Sequence, residues 1–118
     1  MMRDQLIDDL VNRLRKFADE REWGQFHSPK NLAMALTVEA AELLGEFQWL
    51  TEQQSRQPEQ ECLNRIKEEV GDVMIYLVLL SDHLSIDPMA AAFQKIEKNR
   101  TKYPVDKAKG SAKKYTDL

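Results

Sequence analysis

Asn31–Leu50, NLAMALTVEAAELLGEFQWL, reads as one helix that is apolar almost all the way round, yet Glu39, Glu42 and Glu46 sit inside it. At about 100° per residue, an i, i+3, i+7 set falls within a narrow stripe. Three carboxylates therefore line one face of a helix that otherwise wants burial. Like charges at this spacing cost roughly 0.2–0.5 kcal/mol each in water, and the cost climbs where water is withdrawn. The pattern demands a positive charge.

The second half of the pattern lies in Ile66–Leu84, IKEEVGDVMIYLVLLSDHL, where Glu69 and Asp72 repeat the i, i+3 spacing. Glu39-x-x-Glu42 on one helix and Glu69-x-x-Asp72 on another can face each other across a groove. No cation is local to the four acids: Lys67 and Arg65 are close in sequence, but on an ideal helix Lys67 points away from Asp72. Hard oxygen donors in this number suit Mg²⁺, with Mn²⁺ as substitute. A single Glu-x-x-Glu is ordinarily a solvated helix face. Two such pairs in apolar surroundings favour a metal site.

The chain has 118 residues, 17 basic against 20 acidic, for a formal net charge of −3. One domain is the natural division, and no nucleic-acid surface extends over it. Cys62 is the only cysteine, so no internal disulfide forms and a reducing compartment fits. The first ten residues are too charged for a signal peptide, and no uncharged run is long enough to span a bilayer. A soluble, cytoplasmic protein is expected.

In chain order, residues 3–20 form an amphipathic helix. Leu6, Leu10, Leu14 and Phe17 with Ile7, Val11 and Ala18 make its apolar stripe, and Asp4, Asp8, Arg13, Arg15 and Lys16 its wet side. Residues 22–30 read as a loop holding Trp23, Gly24, Phe26 and His27, either packed core or a wall that stacks on a ring. Ser28-Pro29 caps and opens the second helix, which runs to Leu50. Gly45 and Gly71 interrupt two helices and suggest close helix approach behind the acids. Residues 51–61 read as a connector, with Cys62 in a polar turn-like region. The third helix covers residues 59–84, and its apolar second half calls for cover on all sides, hence a homo-oligomer with this helix near the interface. Asp87-Pro88 opens a fourth helix over 88–102, with Lys95 and Asn99 at i, i+4 and Arg100 adjacent. Residues 105–118 form a basic tail, either disordered or lying across a neighbouring subunit. The expected division is an all-α domain over 1–104 and the tail over 105–118.

Carboxylates on facing helices with Lys, Asn and Arg on another suit phosphate handling through a divalent cation. There is no Walker A loop and no Gly-rich dinucleotide fingerprint. A di-iron bundle would normally need Glu-x-x-His, but Gly24 and Leu80 stand three residues before the two histidines, His27 and His83.

Further stretches carry a resemblance: Arg21-Glu22-Trp23 with Gln25-Phe26-His27, Asn31-Leu32, Glu39-Ala40-Ala41-Glu42-Leu43 with Phe47-Gln48-Trp49, and Glu68-Glu69-Val70-Gly71-Asp72-Val73 with Ile75-Tyr76-Leu77. It continues in Lys95, Asn99-Arg100, Tyr103-Pro104, Gly110-Ser111-Ala112 and Lys114 to Leu118. From Phe17 onward the chain resembles the MazG-like all-α nucleoside triphosphate pyrophosphatases, nearest their dCTP pyrophosphatase branch. The resemblance implies a four-helix MazG-like bundle, a homodimer or homotetramer, that hydrolyses a (deoxy)nucleoside triphosphate between the α and β phosphates as nucleotide-pool house-cleaning. Glu39, Glu42, Glu69 and Asp72 are then the Mg²⁺ ligands, with Glu39 or Glu42 alternatively serving the attacking water. By the same likeness Lys95, Asn99 and Arg100 lie near the phosphates and nucleoside. His27, Trp49 and Tyr76 line the base and sugar pocket, supported by Trp23 and Phe26. The competing readings are a nucleotide-sensing module of the same fold with negligible turnover, a dUTP-preferring member of the group, and a non-enzymatic scaffold.

Overall fold

The computed structural model of the chain describes residues 3–118, and they are all-α. Four long helices are α1 (Arg3–Glu20), α2 (Pro29–Gly45), α4 (Gln60–His83) and α5 (Pro88–Lys102); two short ones are α3 (Glu52–Arg56) and α6 (Val105–Ala108). The side chain of Asp4, expected on the wet face of α1, lies outside the described residues. The chain divides into two compact units, Met1–Ile86 and Asp87–Leu118. Among the described residues no single helix is long and apolar enough to cross a membrane.

In the first unit α2 packs along α4, and α1 packs on α4 and on a 3-10 turn, Trp23–Phe26. The buried apolar side chains among the described residues are Ala18 from α1, Leu32 from α2, and Ile66, Val78 and Leu79 from α4, with Leu32 and Val78 fully enclosed. That is a thin core for a chain of this length. Much apolar surface stays in water: Val38 is 56% exposed, Leu44 63% and Leu77 40%. One polar tie crosses the unit. Arg15 on α1 donates through Nε to Asp82 Oδ2 on α4 at 2.8 Å, with a second guanidinium contact to Oδ1. The guanidinium holds the Asp82 carboxyl below its usual range.

The caps read from the sequence are present. Ser28 Oγ accepts from the Asn31 backbone N–H at 3.1 Å, and Pro29 takes the first position of α2. Asp87 Oδ1 accepts from Met89 and Ala90, with Pro88 opening α5. Several boundaries differ from expectation. Helix α2 stops at Gly45 instead of Leu50, and turns follow through residues 46–49. Beyond them Thr51 and Gln54 build a capping box that starts α3 inside the expected connector. The loop at 22–30 contains the 3-10 turn, entered through Glu22 at φ 55°, and Asn31 Nδ2 ties it to α2 by donating to the Phe26 carbonyl at 3.0 Å. Cys62 sits in the first turns of α4, half-buried, with its thiol 3.9 Å from the Glu46 carbonyl.

The proposed close approach at the glycines does not occur among the described residues. A Cβ at Gly45 or Gly71 would meet nothing within 4 Å. Gly45 instead marks the end of α2, where its weak helix propensity does no harm.

In the second unit, α5 is followed by α6 and by a further 3-10 turn, Tyr115–Asp117. The tail is folded rather than disordered: the Tyr115 ring meets the Tyr103 ring edge to face at 5.9 Å.

Candidate metal centre and adjoining cavity

The packing of α2 against α4 brings the acids together. Glu39, Glu69 and Asp72 each offer a carboxylate oxygen, and these atoms lie within 4.8 Å of one another. Glu42 adds a fourth acid, close enough to Glu39 and Glu69 to raise both of their pKa values. Withdrawal from water is the largest influence on Glu39; the hydrogen-bond reach and charge of Glu42, then Asp72 and Glu69, add to it, and its carboxyl is pushed up to about 7. Glu69 moves the same way, again through desolvation first and its acidic neighbours second.

Glu46 is felt by Glu69 only as the weakest of its acidic neighbours, because it has a partner of its own. It accepts from Arg65 Nε at 2.9 Å, so the last acid of the α2 stripe is neutralised from α4. The sequence held the signal: Arg65 precedes Glu69 by four residues, placing both on one side of α4. Glu39 and Glu69 receive no such help. Glu39 Oε2 and Glu69 Oε2 are buried and accept no hydrogen bond from any described group. Buried carboxylate oxygens left unpartnered are costly. An oxygen-seeking divalent cation removes that cost, so the donor set fits Mg²⁺ or Mn²⁺.

Beside the acids, a cavity of about 260 Å³ is lined by Phe17, Trp23, His27, Asp72, Tyr76 and Leu79 among others. Asp72 belongs to both cavity and acid group. The 3-10 turn presents His27 between Trp23 and His83, each ring 6.4 Å away and edge to face. Burial, and secondly the charge of His83, lower the His27 pKa. At neutral pH His27 is therefore an uncharged donor and acceptor on an apolar wall. Trp23 closes on Phe17 at 5.6 Å, which makes the aromatic loop both packed core and pocket wall. A second cavity of about 240 Å³ lies behind His27, with Arg15, Asp19, Asp82 and His83 on its lining. The sequence reading weighed His83 only as a metal ligand and not as a neighbour of His27, although it follows Tyr76 by seven residues and so shares its side of α4.

Trp49 lies in the turns after α2, 87% exposed, away from the cavity's lining. Phe26 is exposed as well. Lys95, Asn99 and Arg100 occupy α5 in the second unit. Among them Arg100 makes an exposed contact with Glu97 at 3.8 Å.

Comparison with known proteins identifies the lineage. Residues 34–118 match the model of the MazG-like family. The chain belongs to the MazG-like family. It is 41% identical over 116 residues to dCTP pyrophosphatase 1 of Rattus norvegicus, covering 95% of this chain and 67% of the relative. The same protein of Homo sapiens is 39% identical over 116 residues, with the same coverage. A crystal structure of a pyrophosphatase from Archaeoglobus fulgidus superposes with a TM-score of 0.78 at 41% identity, over 82% of this chain and 91% of that one. Likeness of this extent makes the MazG-like chain a hydrolase of the nucleoside triphosphate pyrophosphatase class.

Proposed function

We propose that the chain cleaves (deoxy)nucleoside triphosphates, dCTP or a related dNTP by preference, to the monophosphate and pyrophosphate, with Mg²⁺ as cofactor. The observation that carries this reading is the unpartnered acid group: buried oxygens of Glu39 and Glu69 with Asp72 within 4.8 Å. Glu39, Glu42, Glu69 and Asp72 would hold the ion. When bound, it would orient the triphosphate and neutralise charge developing on its oxygens.

The chain's own groups do the rest. Glu39, with a carboxyl at about 7, is suited to take a proton from water near neutral pH, and Glu42 beside it is the alternative base. His27 and Tyr76 share one cavity with Trp23, where a base can stack and meet a neutral imidazole. Lys95, Asn99 and Arg100 would serve the phosphates. Trp49, 87% exposed, would reach a base only across a subunit contact. The exposed apolar side chains Met34, Val38 and Leu44 of α2 and Val70, Met74 and Leu77 of α4 support a homodimer or homotetramer. In this reading residues 105–118 append to the domain at 1–104 and bring positive charge to a ligand, and the protein works in the cytoplasm.

Product analysis on canonical and modified dNTPs and NTPs, with and without Mg²⁺, tests the proposal. Monophosphate plus pyrophosphate, formed only with metal and fastest from dCTP, is the expected result. Diphosphate plus phosphate would overturn the bond assignment. Fastest turnover of dUTP would favour the dUTP-preferring alternative, and tight binding without product the sensing module.

A further inference from the structure

Two cavities of the first unit meet at one ring. The cavity of about 260 Å³ beside the acids and the cavity of about 240 Å³ behind His27 share Ala18, His27 and Leu79 on their linings. Ala18 on α1 and Leu79 on α4 are buried in the core, so their part of the partition is fixed. His27 is the shared residue that lies outside the long helices, at the end of the 3-10 turn, and it is only half-buried. Its imidazole is the movable part of the wall between the two spaces.

The His27 backbone is held firmly. Its N–H donates to the Gly24 carbonyl at 3.2 Å, and Ser28, next in the chain, caps α2. The ring is held differently, because the last torsion of a histidine side chain is broad and leaves orientation to the neighbours. Trp23 stands 6.4 Å to one side and His83 6.4 Å to the other, both edge to face. Trp23 lines the first cavity and not the second; His83 lines the second and not the first. His83 therefore stands where the His27 ring would retreat. The end of α4 that carries it is anchored. Arg15 grips the adjacent Asp82 through two contacts, and the Leu84 and Ile86 N–H groups close on the Ser81 carbonyl at 3.2 and 2.8 Å.

We propose that His83 is a positioning residue: as the back wall of His27 it keeps the first cavity to the size of a single-ring base, and so selects a pyrimidine over a purine nucleotide. This rests on the reading of the chain as a nucleotide pyrophosphatase whose base enters the cavity beside Asp72, and it adds a cause for the choice of base. At about 260 Å³ that cavity lies below the roughly 300–1,000 Å³ usual for small-molecule sites. The space behind His27 is almost as large, so retreat of the ring would come close to doubling the room. A two-ring base needs that room and a one-ring base does not.

The test is binding of dCMP and dAMP to the full chain by calorimetry, beside steady-state kinetics on dCTP and dATP. His83 is exposed at the end of α4, so its replacement should leave the fold intact. His83→Ala should cut the preference for dCMP over dAMP by about tenfold, the scale on which one methylene of misfit is discriminated in an apolar pocket. The change should come from tighter dAMP binding and a lower KM for dATP, with kcat on dCTP unaltered. His83→Phe keeps a ring against His27 and should restore the preference. His83→Gln keeps a polar group without a ring and should behave as His83→Ala. An unchanged preference in His83→Ala would overturn the proposal, as would a wild-type chain with no preference to lose. Equal weakening of dCMP and dAMP would reduce His83 to a structural part, and a His83→Phe protein as permissive as His83→Ala would remove the ring wall. Monophosphate binding needs no turnover. A wild-type chain that hydrolyses nothing, yet loses its base preference in His83→Ala, would sink the pyrophosphatase reading and keep the wall. Hydrolysis of dCTP to dCMP and pyrophosphate, with one preference in both proteins, would do the reverse.

Discussion

The two units fail to neutralise themselves in opposite senses. The first gathers Glu39, Glu42, Glu69 and Asp72, and the second carries eight Lys and Arg against four Asp and Glu. Elsewhere in the molecule several arginines are paired. Arg15 grips Asp82, Arg65 holds Glu46 at 2.9 Å, and Arg13 reaches Asp9 at 2.9 Å. A fold that pairs Glu46, the residue after α2, and leaves Glu39, two turns earlier, unpaired is storing repulsion that a ligand relieves. The pairing also sorts structural charge from functional charge better than sequence spacing does.

The largest effect should come from the acids. Glu39→Gln is expected to lower turnover by roughly 10²–10⁴-fold, the scale of a lost general base. Glu42→Gln and Asp72→Asn should likewise abolish turnover while circular dichroism shows the helices intact. Retained activity in both would separate the acid group from the chemistry.

Next comes pH. The Glu39 carboxyl is raised to about 7 from an ordinary 4.5, so its burial favours the folded state fully only below the ordinary value, and that contribution is lost as pH rises through about 7. In chelator, Tm should therefore fall between pH 5 and 8 and recover with Mg²⁺. Glu39→Gln should flatten the dependence. His27 contributes with the opposite sign. Its pKa is lowered, so its contribution is present above the ordinary imidazole value and fades as pH falls through that value. His27→Gln should remove that acidic limb only.

The structural pairs should give smaller effects. Asp82→Asn removes a charge-assisted contact from a side chain only 17% exposed and should cost about 1–3 kcal/mol in urea unfolding, with turnover little changed. Glu46→Gln should cost less than about 1 kcal/mol, since Arg65 holds Glu46 through a single contact where Arg15 holds Asp82 through two. It should leave Mg²⁺ affinity unaltered. A large loss of Mg²⁺ affinity there would put Glu46 back into the acid group and spoil the contrast with Glu39.

Much of this was legible in the sequence because it depended on local pattern. The i, i+3 acids, the Ser28-Pro29 and Asp87-Pro88 openings, and the four long helices follow from spacing and capping chemistry. What the sequence hid depended on tertiary contact or on turn chemistry. Whether Glu46 or Glu39 meets Arg65 is decided by the register of α2 on α4. The early stop of α2 is settled by Gly45 and the Thr51–Gln54 box outweighing an apolar run, FQWL, that looks helical. The tail read as either disordered or laid across a neighbouring subunit because its few apolar residues are spread thinly. Gly110 and two tyrosines twelve residues apart give it a fold that composition cannot show.

The most direct measurement is divalent-cation affinity, by calorimetry with Mg²⁺ or by the spin signal of Mn²⁺, on the wild-type chain, Asp72→Asn, Glu69→Gln and Glu46→Gln at pH 8. The account predicts binding by the wild-type and Glu46→Gln chains, and its loss in Asp72→Asn and Glu69→Gln while both stay folded. Equal binding by all four would contradict it, for the unpaired acids would then be a surface feature and not a metal centre.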